Sequence, residues 1–187
     1  METIAKQMFI LIGEDCTGKT TFQKKLIKKL TAETRDARLD CNLQFNITNP
    51  DLNNKYETIF FINRSFQEKK AQKCEYYDSV ASYFEHLFTE PDICILSSHL
   101  NPDDIREMIR EGKSRFYNIT GVFFTNSTKK FPAGNAAISL LDWDERISVE
   151  NPEIESTAEN FLSKIDRQLD ACANSFIAYL IAKLNSR

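Results

Sequence analysis

The sequence predicts an α/β protein, three layers deep (α/β/α), built on a mainly parallel sheet. Two observations carry this. Short, wholly apolar runs alternate with segments whose apolar residues recur at helical spacing. Strands buried on both faces belong to parallel sheets covered by helices. The first apolar run, residues 8–12, also leads directly into Gly13-Glu14-Asp15-Cys16-Thr17-Gly18-Lys19-Thr20, and that glycine loop opens a helix-period segment. In such a sheet, ligand sits beyond the carboxyl ends of the strands, where this loop lies.

The elements follow in order. Residues 7–12 form the first strand. Residues 19–33 form the first helix, with Phe22, Leu26, Ile27 and Leu30 on one face. Lys24, Lys25, Lys28 and Lys29 share the other face, which reads as solvated rather than as a nucleic-acid stripe. Residues 38–48 alternate Leu39, Cys41, Leu43, Phe45 and Ile47 with polar neighbours, as a half-buried strand at a sheet edge does; Asn49-Pro50-Asp51 ends it. Residues 58–62 are a short buried strand. Residues 67–89 read as one helix, with Val80, Phe84, Leu87 and Phe88 inward. Residues 93–96 are another buried strand. Asn101-Pro102-Asp103-Asp104 opens a helix running to Phe116, with acids in its first turn as the dipole favours. Residues 121–125 form a further strand and 137–141 offer another, followed by 146–149. The stretch 126–135, with Lys129, Lys130 and Gly134, reads as a polar loop.

From 154 to 184 the apolar residues Phe161, Ile165, Leu169, Phe176, Leu180 and Leu184 keep helical spacing, and Ser156 with Glu159 has the form of a capping box. A single helix of that length would run about 45 Å. The favoured expectation is a pair of helices packed on the core, broken near 171–174. A projecting helix joining two copies as a homodimer is the alternative.

The 187 residues suit one domain, 1–187, with a helical C-terminal segment at 154–187; five glycines and five prolines leave no flexible linker. A net charge of −3 does not favour nucleic acid as a partner. Five cysteines, an odd number without a C-x-x-C pair, read as reduced thiols of a cytoplasmic protein. The apolar runs are too short to span a bilayer, and no secretory leader is recognisable.

Residues 13–20 satisfy G-x-x-x-x-G-K-[ST], the Walker A form of a P-loop NTPase. Its glycines let successive N–H groups turn toward an anion. Lys19 brings charge to the β- and γ-phosphates, and the Thr20 hydroxyl is the Mg²⁺ ligand. A GTPase would carry N/T-K-x-D, but Asn54-Lys55-Tyr56-Glu57 lacks the Asp and precedes a strand. A motor-type ATPase would end an apolar strand in an acid. Residues 138–142, ending in Asp142, have that form but come late in the chain; 93–96 lead into Ser97-Ser98-His99, where His99 is a candidate γ-phosphate sensor. Trp143 is a candidate base-stacking residue, with packing over the sheet edge as its default role.

The third class is the small-molecule phosphotransferase. Gly13-Glu14-Asp15-Cys16-Thr17-Gly18-Lys19-Thr20-Thr21 resembles the G-x-D-x-x-G-K-[ST]-T loop of thymidylate kinase-like nucleoside and nucleotide kinases. Ile62-Asn63-Arg64 stands where that family has an Asp-Arg pair. Pro91-Asp92-Ile93-Cys94-Ile95-Leu96, then Asn101-Pro102-Asp103-Asp104-Ile105, resembles its P-D-x-x-I-x-L strand and acidic helix start. The resemblance implies a Mg-ATP-dependent kinase whose loop residues Gly13 to Thr21 hold ATP, with Thr20 on Mg²⁺. It implies Lys19, Asp15 and Arg64 as catalytic residues, Arg64 meeting the acceptor phosphate with its planar fork. The acceptor would be a nucleoside or nucleoside monophosphate. Asn63 departs from the family's Asp, the lid stretch offers Lys129 and Lys130 instead of Arg, and the strand at 121–125 is closer to polynucleotide-kinase-like proteins. A nucleotide-binding switch controlling a protein or nucleic-acid partner is the alternative.

Overall fold

The computed structural model describes residues 5–33, 43–62, 65–71 and 78–185. Six strands form one sheet: β1 (Gln7–Ile12), β2 (Leu43–Asn46), β3 (Thr58–Phe61), β4 (Ile93–Ser98), β5 (Asn118–Phe124) and β6 (Glu145–Val149). Their order across the sheet is β2-β3-β4-β1-β5-β6, and only β2 runs antiparallel to its neighbour. All six residues of β1 and all six of β4 are buried, which is why 8–12 and 93–96 read as wholly apolar runs; the buried polar Gln7, Ser97 and Ser98 extend the two strands beyond them. β2 alternates half-buried with exposed residues, as its edge position requires.

Helices cover both faces. On one face lie α1 (Lys19–Leu30) and α7 (Phe161–Asn185), whose Phe22, Leu26, Leu169 and Phe176 pack against Phe9, Leu11 and Phe124. Phe176 meets Phe9 and Phe22 edge-on, with ring centroids 4.9 and 5.6 Å apart. On the other face lie α3 (Val80–His86), α4 (Pro102–Ser114) and α6 (Pro132–Ser139), whose Phe84, Ile105, Met108 and Ile138 pack against Met8, Ile10 and Leu96. Among the described residues two short helices complete the set: α2 (Phe66–Ala71) and α5 (Thr125–Lys130). Among the described residues no helix is long and apolar enough to cross a membrane.

α4 starts as its sequence dictates: the Asn101 side chain accepts from the N–H groups of Asp103 and Asp104, and Pro102 takes the first turn. Several expectations are corrected. The segment 126–135 is not a loop, and 137–141 is not a strand: together they form α5 and α6. Pro132 at the start and the alanines that follow favour a helix, and Leu140, which a buried strand would hide, is 82% exposed. The region 67–89 is not one helix: among the described residues α2 covers its start, Ser79 is extended and caps the separate α3, and the chain leaves α3 at Leu87. The C-terminal helix does not break near 171–174; its 25 residues lie along the sheet, so Ala173, Phe176 and Ile177 are buried instead of bending the chain. It begins at Phe161, so Ser156 and Glu159 do not cap it.

Lys25 and Lys29 are not merely solvated. They reach Asp166 and Asp170 on α7 at 2.6 and 3.0 Å. Trp143 packs on Phe123 and donates its indole N–H to Ile138 O at 2.8 Å, the structural role expected by default. Asp142 pairs with Lys113 at 2.8 Å on an exposed turn rather than ending a strand.

Candidate functional site

The loop between β1 and α1 leaves the sheet beside its middle, flanked by the carboxyl ends of β4 and β5. Gly13 N–H donates to Ser98 O at 3.2 Å, tying the loop's start to β4. A Cβ on Gly13 would lie 2.9 Å from Thr17 Oγ1, so the loop closes on itself only around a glycine. Gly18 is left-handed, with φ 93°, and a Cβ there would meet both Leu169 methyls at 3.2 Å. Cys16 also takes a positive φ, 61°, and is exposed.

Lys19 is 9% exposed and folds back into the loop. Its ammonium donates to Gly13 O, to Glu14 O at 2.9 Å and to Thr17 Oγ1 at 3.4 Å. Burial pushes its pKa below the ordinary lysine value, against the pull of Asp15, Glu68 and Glu14. Among the described residues, no acceptor pairs with the backbone N–H groups of Asp15 through Thr20. Those unpaired donors, at the N-terminal end of a 12-residue helix, fit a phosphate chain. Thr20, exposed in the first turn, is free of the core and fits a Mg²⁺ ligand.

Neighbouring elements hold the loop. From the far end of β6, Asn151 (2% exposed) donates its amide to Thr17 O at 2.8 Å, and Asn126 at the start of α5 donates to the same oxygen at 3.3 Å. Gln23, fully buried on α1, donates to Ile62 O at 3.0 Å and Ser97 Oγ at 2.7 Å, fixing α1 to the ends of β3 and β4. Glu14 caps the end of β4: its carboxylate meets His99 Nδ1 at 3.0 Å and the Leu100 N–H at 3.1 Å. His99 therefore faces the loop, with Nε2 lying 3.7 Å from Asp15 Oδ1.

Two cavities flank these groups. A cleft of about 200 Å³ opens beside the loop, lined in part by Thr17, Gly18, Asn126, Asn151, Ile154 and Leu169. The second, between the ends of β3 and β4 and helices α2, α3 and α4, is lined by Ile62, Phe66, Tyr83, Phe84, Leu96 and Met108, and its volume is only about 10 Å³.

Of the sequence-derived residues, the structure brings together Gly13, Glu14, Asp15, Cys16, Thr17 and Gly18 in the loop and Lys19, Thr20 and Thr21 in the first turn of α1, with His99 beside them. Arg64 and Asn63 lie outside the described residues. Lys129 is exposed, and Lys130, on the rim of the cleft, pairs with Glu153 at 2.7 Å. Glu68, Asn126 and Asn151 join the site from elements remote in sequence. Glu68 has a local signal: with Ser65 three residues before it, it forms the capping box of α2. No family model matches this chain, and no curated protein or solved structure matches it.

Proposed function

We propose that this protein is a Mg-ATP-dependent phosphotransferase of nucleotide-kinase type, on a three-layer P-loop NTPase fold, acting on a nucleoside or nucleotide. The observation that carries the reading is the row of N–H groups from Asp15 to Thr20, which meet no acceptor among the described residues, at the head of α1, with Lys19 already inside the loop. A polyphosphate would displace the Lys19 ammonium from the Gly13 and Glu14 carbonyls and take it as its own counter-charge. The cleft lined by Asn126, Asn151 and Ile154 adjoins the loop and has room for a planar base. Mg²⁺, held by Thr20, neutralises phosphate charge when bound. Phosphoryl transfer asks mainly for positioning and charge neutralisation, and Asp15, Lys19 and Arg64 are the residues proposed for it.

The alternative is a nucleotide-dependent switch that controls a partner. One observation favours it: the cavity on the acceptor side is apolar and nearly filled, so an acceptor would enter only if α2 or α3 moved. The deciding experiment follows ATP consumption and separates products by chromatography, with a panel of nucleosides and nucleoside monophosphates, beside Lys19→Ala. One acceptor converted to its phosphate, with activity lost in Lys19→Ala, is the expected result. ATP bound without any acceptor phosphorylated would replace the kinase reading with the switch.

A further inference from the structure

The loop proposed to take phosphate is lined by acids. Glu14, Asp15 and Glu68 all act on Lys19, three carboxylates against one ammonium. Among the described residues these three carboxylates outnumber the one ammonium by two, the wrong sign for an anion and the right count for one divalent cation.

Its donors converge. Asp15 in the loop, Glu68 on α2 and His99 after β4 each offer one ligand atom, and all three atoms lie within 4.8 Å of one another. The His99 ring is set for coordination. Its Nδ1 lies 3.0 Å from the Glu14 carboxylate and its Nε2 lies 3.7 Å from Asp15 Oδ1, so a proton held on Nδ1 by Glu14 would leave Nε2 to ligate beside Asp15. The carboxylate on the far ring nitrogen is the outer-shell arrangement that orients metal-bound histidines. Glu68 is held in turn: the Ser65 N–H and hydroxyl meet its Oε2 at 2.8 and 3.1 Å. Metal–ligand distances near 2.1 Å require the three donors to close by about an ångström. The Asp15 side chain, 79% exposed, has the freedom to do so.

We propose that Asp15, Glu68 and His99 form a binding site for a divalent transition cation of the Mn²⁺ or Zn²⁺ type, with Glu14 as the residue that positions His99. An imidazole with two carboxylates selects against Mg²⁺, which prefers oxygen and water. The site is distinct from Thr20, and it does not depend on the loop's taking a nucleotide. With the cation bound, the cluster no longer repels phosphate.

The test uses the full chain without nucleotide. Mn²⁺ uptake is followed by loss of the free-ion electron paramagnetic resonance signal, and direct ligation by nitrogen modulation of the bound ion's spin echo. One ion per chain with nitrogen modulation is expected. His99→Gln should abolish the modulation and weaken binding at least tenfold, and Glu14→Gln should weaken it by about 10- to 100-fold. Lys19→Ala should tighten binding, because it removes the opposing charge, although the same change is expected to destroy nucleotide binding; the two readings therefore fail separately. Circular dichroism melts establish that each variant is folded, and Glu68→Gln serves where His99→Gln does not fold. No uptake at millimolar Mn²⁺, or uptake with neither nitrogen modulation nor sensitivity to these substitutions, would overturn the site.

Discussion

Asn151 and Asn126 both donate to Thr17 O, but not equally, and the inequality can be measured. Asn151 reaches it at 2.8 Å from a side chain only 2% exposed. Its other side-chain contacts, to Thr125 and Asn126, are at 3.5 Å, the outer limit of a hydrogen bond. Removing a buried donor of that quality costs about 2 kcal/mol, so Asn151→Ala should lose about that much. Asn126 donates at 3.3 Å, and its own Oδ1 is buried without a partner among the described residues. Asn126→Ala removes a weak bond and also an orphaned acceptor, so its net cost is about 0.5 kcal/mol. In the double variant Thr17 O keeps neither donor, and the loss should exceed the sum of the single losses by about 1 kcal/mol. Urea unfolding, read by the fluorescence of the single tryptophan, Trp143, measures all four proteins. Equal costs for the two single variants, or strict additivity, would show that Thr17 O is not the shared acceptor that holds the loop.

Two further outcomes are expected. Gly18→Ala should destabilise by about 1–2 kcal/mol, because φ is 93° and a Cβ would touch both Leu169 methyls; adding Leu169→Ala should relieve only the contact, and a loss below about 0.5 kcal/mol in Gly18→Ala would refute the strained position. Lys19 also makes stability depend on pH. Burial lowers its folded-state pKa from 10.5, so between that lowered value and 10.5 the unfolded chain binds more protons and stability rises with pH. The stability of the parent relative to Lys19→Met should therefore climb across that window, by at most about 1.4 kcal/mol per pH unit, and be flat below it. Denaturant titrations between neutral and alkaline pH test this, and a difference that falls with pH would contradict a desolvated ammonium.

Much of the scaffold could be read from the chain. β1, β3, β4 and β5 are almost wholly buried, and the apolar runs at 8–12, 59–62, 93–96 and 121–124 within and beside them record that directly. The loop could be read because glycine spacing, Lys19 and Thr20 are local. α5 and α6 were misread because their buried residues are few: Ser127, Asn135 and Ile138 face inward while Leu140 points out, so no apolar period marks the helix. The loop's surroundings were hidden for a different reason. Sheet order, not chain order, sets which strand ends adjoin it. Nothing local in Asn151 or Glu68 says that the chain after β6 or the first turn of α2 comes to the loop. The sequence marks His99 as a strand-end residue, but its pairing with Glu14 depends on β4 lying directly beside β1.

The central place of β1 also has a kinetic consequence. Its six residues are buried only when β4 flanks one edge and β5 the other, with Gln7 meeting Ile93 on one side and Asn118 on the other. Neither partner is near in sequence, so both pairings close long loops before they yield any contact. Refolding should be slow, and until Asn118–Phe124 docks, Met8–Ile12 presents an apolar edge without proline or charge, the kind of segment through which unfinished chains associate. Chain concentration during refolding, more than final stability, should then decide how much native protein is recovered.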